Sequence, residues 1–471
     1  MKNWSNIAII GCLILITLGS CKKDQIIENP SSLSFSVDTV VFDTVFTQRG
    51  TATRNFKVYN SSNKTLKIAS IRLANPNTPF RINVDGMAGR SFTDVEILPN
   101  DSMYVFVEAT IDPNGGNTPM IVTDSILFEI DGRVKDVDLV AWGQDANYIY
   151  PETGKPYSVL PARAVWNKNK PYVVYGYAVV DTDNSLVIEA GTKIHFHASS
   201  GLWVFQGGSI RVKGTKEEPV VFQGDRLEPA YKDVPGQWDR ILINEGAVNN
   251  SIEYAIIKNA IIGLEVEALA LENPAPQVAS NQLILKNTII QNHSALGIFA
   301  RNYNIDAENV VVGNAGQYSI GITGGGTYNF RHITVANYFG QANRNTPSFY
   351  ISNAYVTNDV KYVYKQKNSS FTNCIFYGSI ETEFDFANVD NALGFTLQNC
   401  LIKRKNALSG SNFSNLIYNQ DPKFKDVSAF DYHLLSGSPA INQGIFTSTT
   451  TDLDQNFRIG NPDLGAYESQ P

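Results

Sequence analysis

Cysteine is scarce in this chain. Four occur in 471 residues, and beyond position 21 only Cys374 and Cys400 remain. No CxxC pair is present, which excludes a disulfide scaffold and a cysteine metal knuckle. Charged residues are also few, at 18%, against about 25% for ordinary globular chains. The balance is acidic, with a net charge of −7, and this removes the basic face that a nucleic-acid partner would need. It fits a neutral or basic ligand, or none. Ser/His/Asp triads, phosphate loops and dinucleotide fingerprints do not occur at recognisable spacing, so no cofactor is implied.

What is abundant fits β-structure. There are 22 Tyr and 25 Phe, residues that suit pleated surfaces along with Thr, Val and Ile. Thirty-five Gly and 20 Pro punctuate the chain at the rate that many short strands require. The expected fold class is all-β.

The first residues read as an address. Lys2 precedes an apolar run of 12 residues, Ile7 to Leu18, too short for a membrane span of about 20. It ends in Leu18-Gly19-Ser20-Cys21, which resembles the lipobox of bacterial lipoproteins. The resemblance implies a signal peptide over 1–20, lipidation of Cys21, and attachment to the membrane through that lipid anchor, since several acyl chains hold durably. Lys22-Lys23-Asp24 is similar to export signals of surface-exposed lipoproteins in some two-membrane bacteria, although only one acidic residue is present. An outer-membrane, surface-facing location is the expectation, with 21–32 as a polar tether.

Residues 33–146 alternate in short strands, among them Phe56 to Tyr59, Leu66 to Ile71, Phe80 to Val84 and Met103 to Ala109. Turn clusters such as Asn60-Ser61-Ser62-Asn63 separate them. The spacing predicts a β-sandwich and is similar to immunoglobulin-like modules in general architecture, without their Cys…Trp…Cys marks. Trp142 to Asp145 closes the module.

From about residue 175 the pattern becomes a solenoid. Leu186/Ile188, Ile194/Phe196, Leu202/Val204 and Ile210/Val212 recur at a step of eight, with glycines between. Three strands make one coil of 24 residues, which places Ile210 over Leu186. Six later segments align, starting at Tyr254, Asn287, Asn309, His332, Asn373 and Asn399, with separations of 33, 22, 23, 41 and 26. One coil is therefore 22–24 residues, with loops projecting near Leu271 to Ser280 and Gln341 to Gln366. The fourth column is strictly apolar (Ile257, Ile290, Val312, Val335, Phe376, Ile402) and must face inward. Such repeats stack to bury a continuous core.

On these residues the chain resembles the right-handed parallel β-helix proteins, the group that includes pectate lyases. Handedness follows from the resemblance and from the crossover preference. The helix is expected over 147–435. Asp421-Pro-Lys-Phe424, Asp431-Tyr-His-Leu434, Ser438-Pro-Ala-Ile441 and Asp463-Leu-Gly-Ala-Tyr-Glu468 resemble the tail that finishes such helices, and 436–471 is expected to cap the last coil.

Candidate chemistry concentrates at Asp225, Arg226, Glu228, Asp233 and Gln237 to Arg240. Carboxylates, two arginines and the Trp238 indole could bind a glycan there, with Asp239 and Arg240 beside the ring. The bland alternative is an inserted loop with Trp238 as a plug. The lyases of the resembling family hold Ca²⁺ on acidic residues of neighbouring coils, and the aligned segments lack that ladder. His195 and His197 are expected to point outward, without a third metal ligand. Asp452-Leu-Asp454-Gln-Asn456 reads as a turn, and Cys374 and Cys400 as stacked thiols. No catalytic or metal residue is assigned. The functional reading is a non-catalytic envelope protein recognising polysaccharide. The alternatives are a polysaccharide lyase or glycoside hydrolase, and a structural partner in an outer-membrane complex.

Overall fold

The computed structural model describes residues 25–115, 120–246, 248–268 and 277–470. The segment expected to be a signal peptide, Cys21 and most of the first expected loop lie outside them. Contacts divide the chain into two compact units, Met1–Asp145 and Ala146–Pro471.

The first unit is a β-sandwich. One sheet runs in the order Ile26–Ile27, Thr65–Leu73, Met120–Ile130, Arg133–Gln144, Thr39–Phe46, with Ser91–Ile97 also on Thr65–Leu73. The other runs Leu33–Phe35, Arg54–Asn60, Ser102–Ala109, Phe80–Val84, Met87–Gly89. Alternation along each strand sends one face inward. Phe56, Val58, Ile68, Phe80, Val105, Phe128 and Leu139 meet there in a single core.

The second unit is a parallel β-helix. Ser185–Glu189, Lys193–Phe196 and Gly201–Val204 form one coil with three faces, and each strand pairs in parallel with its counterpart in the next coil. The register agrees with the sequence arithmetic. Leu186 pairs with Ile210, and the fourth column stacks as Ile257–Ile290–Val312–Val335–Phe376–Ile402, every member buried. In the middle coils the first two faces merge into strands of 12 residues, Gln282–His293 and Asn304–Ala315.

The bend between these two faces explains the first column of the repeat. Tyr254, Asn287, Asn309, His332, Asn373 and Asn399 all have φ between 47° and 57°. L-residues resist this left-handed conformation, and Asn resists it least, because its short amide can hydrogen-bond locally. Asn292, one turn further on, donates to the Asn259 side chain in the coil below at 2.8 Å. Amide ladders thus fix the corners while aliphatic and aromatic side chains fill the bore, where Phe349 stacks on Phe384 with centroids 4.9 Å apart.

The tail corrects one expectation. It does not simply cover the last coil but lies along the flank of several. The third column of the repeat points away from the bore, yet Val311, Ile375 and Leu401 are apolar there. They are buried against Phe424, Tyr432, Leu453, Leu464 and Tyr467. Polar contacts fix the strap. Arg458 donates to Asn309 at 2.9 Å, the Ala466 amide to Thr334 at 2.9 Å, and Asn399 to the Gln443 carbonyl at 2.6 Å. An apolar outward column needs a cover, and the tail supplies it. Asp452 sits within this strap, where it accepts from the backbone amides of Asn456 and Glu468. Cys374 and Cys400 are free and buried on adjacent coils, with the Cys374 amide 3.4 Å from the Cys400 sulfur.

Candidate functional site

The segment between the strands Val220–Gly224 and Ile241–Ile243 is an insertion folded down onto the helix. Asn259 donates to the Lys232 carbonyl at 2.8 Å and Asn292 to the Asp233 carbonyl at 2.9 Å, so the corner amides also hold the loop. Gln237 stands so close to Gly224 that a Cβ there would lie 2.4 Å from its side-chain oxygen. The insertion corrects the expectation for His195. Strand alternation does send it away from the bore, but it is buried. Its Nδ1 lies 3.2 Å from the Gly224 carbonyl, and burial pushes its pKa down to about 4.

The candidate cluster separates into three groups. Trp238 is wholly enclosed, stacked on Phe196 with centroids 4.4 Å apart, and its Nε1 donates to the Lys258 carbonyl at 2.9 Å. It is the plug of the insertion and offers no ring to a ligand. Arg226 makes a forked pair with Glu228, at 2.9 Å and 3.1 Å, and lies 3.9 Å above the Tyr231 ring. These two charges stabilise the loop. Arg240 lines a cleft, and Asp239 and Asp225 bond to residues of its lining, Arg240 and His197.

That cleft has a volume of about 610 Å³ and lies on the third face of the first coils. Tyr157, Tyr177, Trp203 and Leu242 supply apolar walls, and His197, Ser200 and Arg240 supply polar ones. Tyr177 donates its hydroxyl to Asp239. Burial first, and the neighbouring Asp239 carboxylate second, hold that phenol well above its ordinary pKa. Arg240 donates through Nε to Asp239 at 3.0 Å and through a terminal nitrogen to Glu265, itself nearly buried. Burial works against the guanidinium charge, but the two carboxylates outweigh it and raise the Arg240 pKa. Gly201 is required here. A Cβ would fall 2.5 Å from the Arg240 carbonyl and 2.8 Å from the Tyr177 ring.

At the rim, His197 Nδ1 is 2.7 Å from Asp225. Its ring packs on Tyr175 at 4.7 Å, which stacks on Tyr150 at 5.2 Å, and Tyr150 on Tyr148 at 5.8 Å. A row of rings therefore leads across the coils to the cleft mouth.

Residues 159–261 match a family model described as a pectate-lyase like beta helix domain. The cleft falls largely inside that stretch. No curated protein matches the chain. Among solved structures, a family 123 glycoside hydrolase from Clostridium perfringens is 11% identical. The match covers 24% of this chain and 26% of that one, with a TM-score of 0.17. A protein of unknown function from Porphyromonas gingivalis W83 is also 11% identical, covering 29% of this chain and 58% of that one, with a TM-score of 0.17. The chain thus spans less than two thirds of either.

Tyr157, Tyr177, Trp203 and Glu265 are absent from the sequence-level candidates. They stand on outward positions of third-face strands, and the aligned repeat contains only second-face strands. The step of eight carried the signal, because it fixed Leu202 and Val204 as inward and so left Trp203 outward between them.

Proposed function

We propose that the protein is a cell-envelope lipoprotein, anchored through Cys21, whose β-helix recognises a neutral or amino-sugar glycan without cleaving it. The cleft at Tyr177, Trp203 and Arg240 carries this reading. Aromatic walls with a few fixed polar groups suit a pyranose, whose C–H faces are apolar and whose edges bear hydroxyls. Its charge selects the class of sugar. Arg240, the guanidinium in the cleft lining, is held by two carboxylates, Asp239 and Glu265, a third, Asp225, stands on His197, and Arg226 and Lys155 are each neutralised by a partner, Glu228 and Glu152. A uronate would meet net negative charge at short range, where repulsion is least screened.

The test is titration of the unlipidated chain with neutral and with acidic polysaccharides. Neutral chains should bind, and Trp203→Ala should weaken that binding roughly tenfold, the size of one lost aromatic contact. Equal or better binding of polygalacturonate or alginate would defeat the charge argument. An unchanged Trp203→Ala variant would defeat the cleft.

A second reading has one observation in its favour. His197 lines the cleft with its Nδ1 held by Asp225, the arrangement that fits an imidazole for proton transfer. It would make the protein a polysaccharide lyase or glycoside hydrolase. Proton transfer alone does not neutralise a substrate carboxylate, and Arg240 is already committed to two carboxylates.

A further inference from the structure

Outside the β-helix, the sandwich unit carries an exposed aromatic face that its core does not use. On the strand Ser102–Ala109, Tyr104 and Phe106 point away from the core, 44% and 36% exposed. Their ring centroids are 5.9 Å apart with planes 27° from parallel. Tyr59, on the neighbouring strand, is 37% exposed. The flanking positions are polar. Phe106 is paired with Asn55 on one side and Asn83 on the other. Lys57, paired with Tyr104, holds its ammonium 4.9 Å from the Tyr104 ring centre.

From this juxtaposition we infer that the outer face of the five-stranded sheet, built on Tyr104, Phe106, Asn55 and Asn83, is a second carbohydrate-binding site, separate from the cleft. Two observations favour a glycan. The rings are already held against each other, so binding costs little side-chain ordering. The amides of Asn55 and Asn83 flank Phe106 on both sides, where sugar hydroxyls set against the edge of the ring can bond to them. A dry protein partner would instead strand the amides and the Lys57 ammonium that interleave the rings. A pyranose brings both an apolar face and hydroxyls, which is the pattern that this surface presents. The site stands on residues of its own and does not depend on the cleft reading.

The test is affinity electrophoresis of the unlipidated full chain through gels containing laminarin, xylan, galactomannan or hydroxyethyl cellulose. At least one should retard the wild type. In that gel the Tyr104→Ala/Phe106→Ala variant should lose roughly tenfold in apparent affinity, while Trp203→Ala keeps a separate share of the retardation. Asn83→Ala, which leaves both rings in place, should weaken binding with an unchanged melting curve, and it decides the matter if the double variant fails to fold. Failure of every gel to retard the wild type would overturn the site. So would retardation that depends on Trp203 alone. Concentration-dependent self-association in sedimentation, abolished by the double variant, would make the face a protein interface and overturn it as well.

Discussion

Tyr177 donates its hydroxyl to Asp239 across 62 residues of sequence. The bond joins a third-face strand to the end of the insertion, and Asp239 passes the connection on to Arg240 and Glu265. The cleft is therefore rigid because four side chains from three coils are tied together. Tyr177→Phe and Asp239→Asn should each lower the melting temperature, and the double variant should lose less than the sum. A coupling of about 1 kcal/mol is the usual size for one such hydrogen bond. Thermal melts of the three variants measure it, and strict additivity would show that the bond contributes nothing.

Val312 is buried between Ile290 and Val335 on neighbouring coils. Val312→Asp should abolish folding of the β-helix unit, because a lone carboxylate there has neither water nor a partner. Val312→Ala should cost about 1–3 kcal/mol through lost contacts and a small cavity. A soluble Val312→Asp chain with wild-type circular dichroism and melting would contradict the inward column.

That column was legible because the bore allows only apolar residues, and stacking repeats the demand at every coil. The step of eight from Leu186 to Val212 carried the same information, and Leu186 does lie beside Ile210. The site was less legible for a physical reason. An outward position on a coil can be solvent-facing, covered by an insertion or covered by the tail, and its neighbours in sequence do not distinguish these. His195 and Val311 both point away from the bore and both are buried. The Asp225 to Arg240 cluster stands out by composition, but composition could not say that Trp238 packs inward while Arg240 lines the cleft. The partners Tyr177 and Glu265 come from neighbouring coils, brought close only by stacking.

Buried histidines set the pH dependence of stability. Burial pushes His195 down to about 4 and His293 to about 3, and lowers His332 far below its usual range. The unfolded chain binds protons at these positions below about pH 6.5, while the folded chain does not. Their contribution is complete above pH 6.5 and is lost as pH falls toward 4, at most about 1.4 kcal/mol per unit for each residue. His433 has the opposite sign. The bond to Asp454 and then the one to Asp431 outweigh burial and raise its pKa. Its contribution is complete below pH 6.5 and lost as pH rises through the raised value. Urea midpoints measured from pH 8 to 5 should fall on the acid side. His433→Asn should lose its destabilising effect at alkaline pH. A midpoint that does not fall on the acid side would contradict the buried-histidine assignment, and a His433→Asn effect independent of pH would contradict that of His433.

The resemblance of Leu18 to Cys21 to a lipobox leads to a separate expectation, since Cys21 lies outside the described residues. Cys21→Ser should release the protein from the detergent phase into the aqueous phase in a phase-partition assay. Unchanged partitioning of the variant would show that the anchor lies elsewhere or that none exists.

The last expectation concerns catalysis of acidic polysaccharides. β-Elimination requires a base within reach of the α-proton and a cation that stabilises the developing carbanion. His197, held by Asp225 in the cleft lining, is the candidate for the base. Arg240 is the cation nearest to hand in the cleft lining, but Asp239 and Glu265 both claim it. Arg226 is likewise bound to Glu228 on the loop. A uronate would have to displace one of these two carboxylates from Arg240. Incubation with pectin, alginate or a glycosaminoglycan, with and without Ca²⁺, should therefore yield no unsaturated-uronate absorbance. Appearance of that absorbance would refute the binding-protein reading. Two variants would then locate the chemistry. Loss of turnover in His197→Ala with retained binding would make the imidazole the base. Loss of both in Arg240→Ala, with an unchanged melting curve, would show that the guanidinium exchanges its internal partners for the substrate.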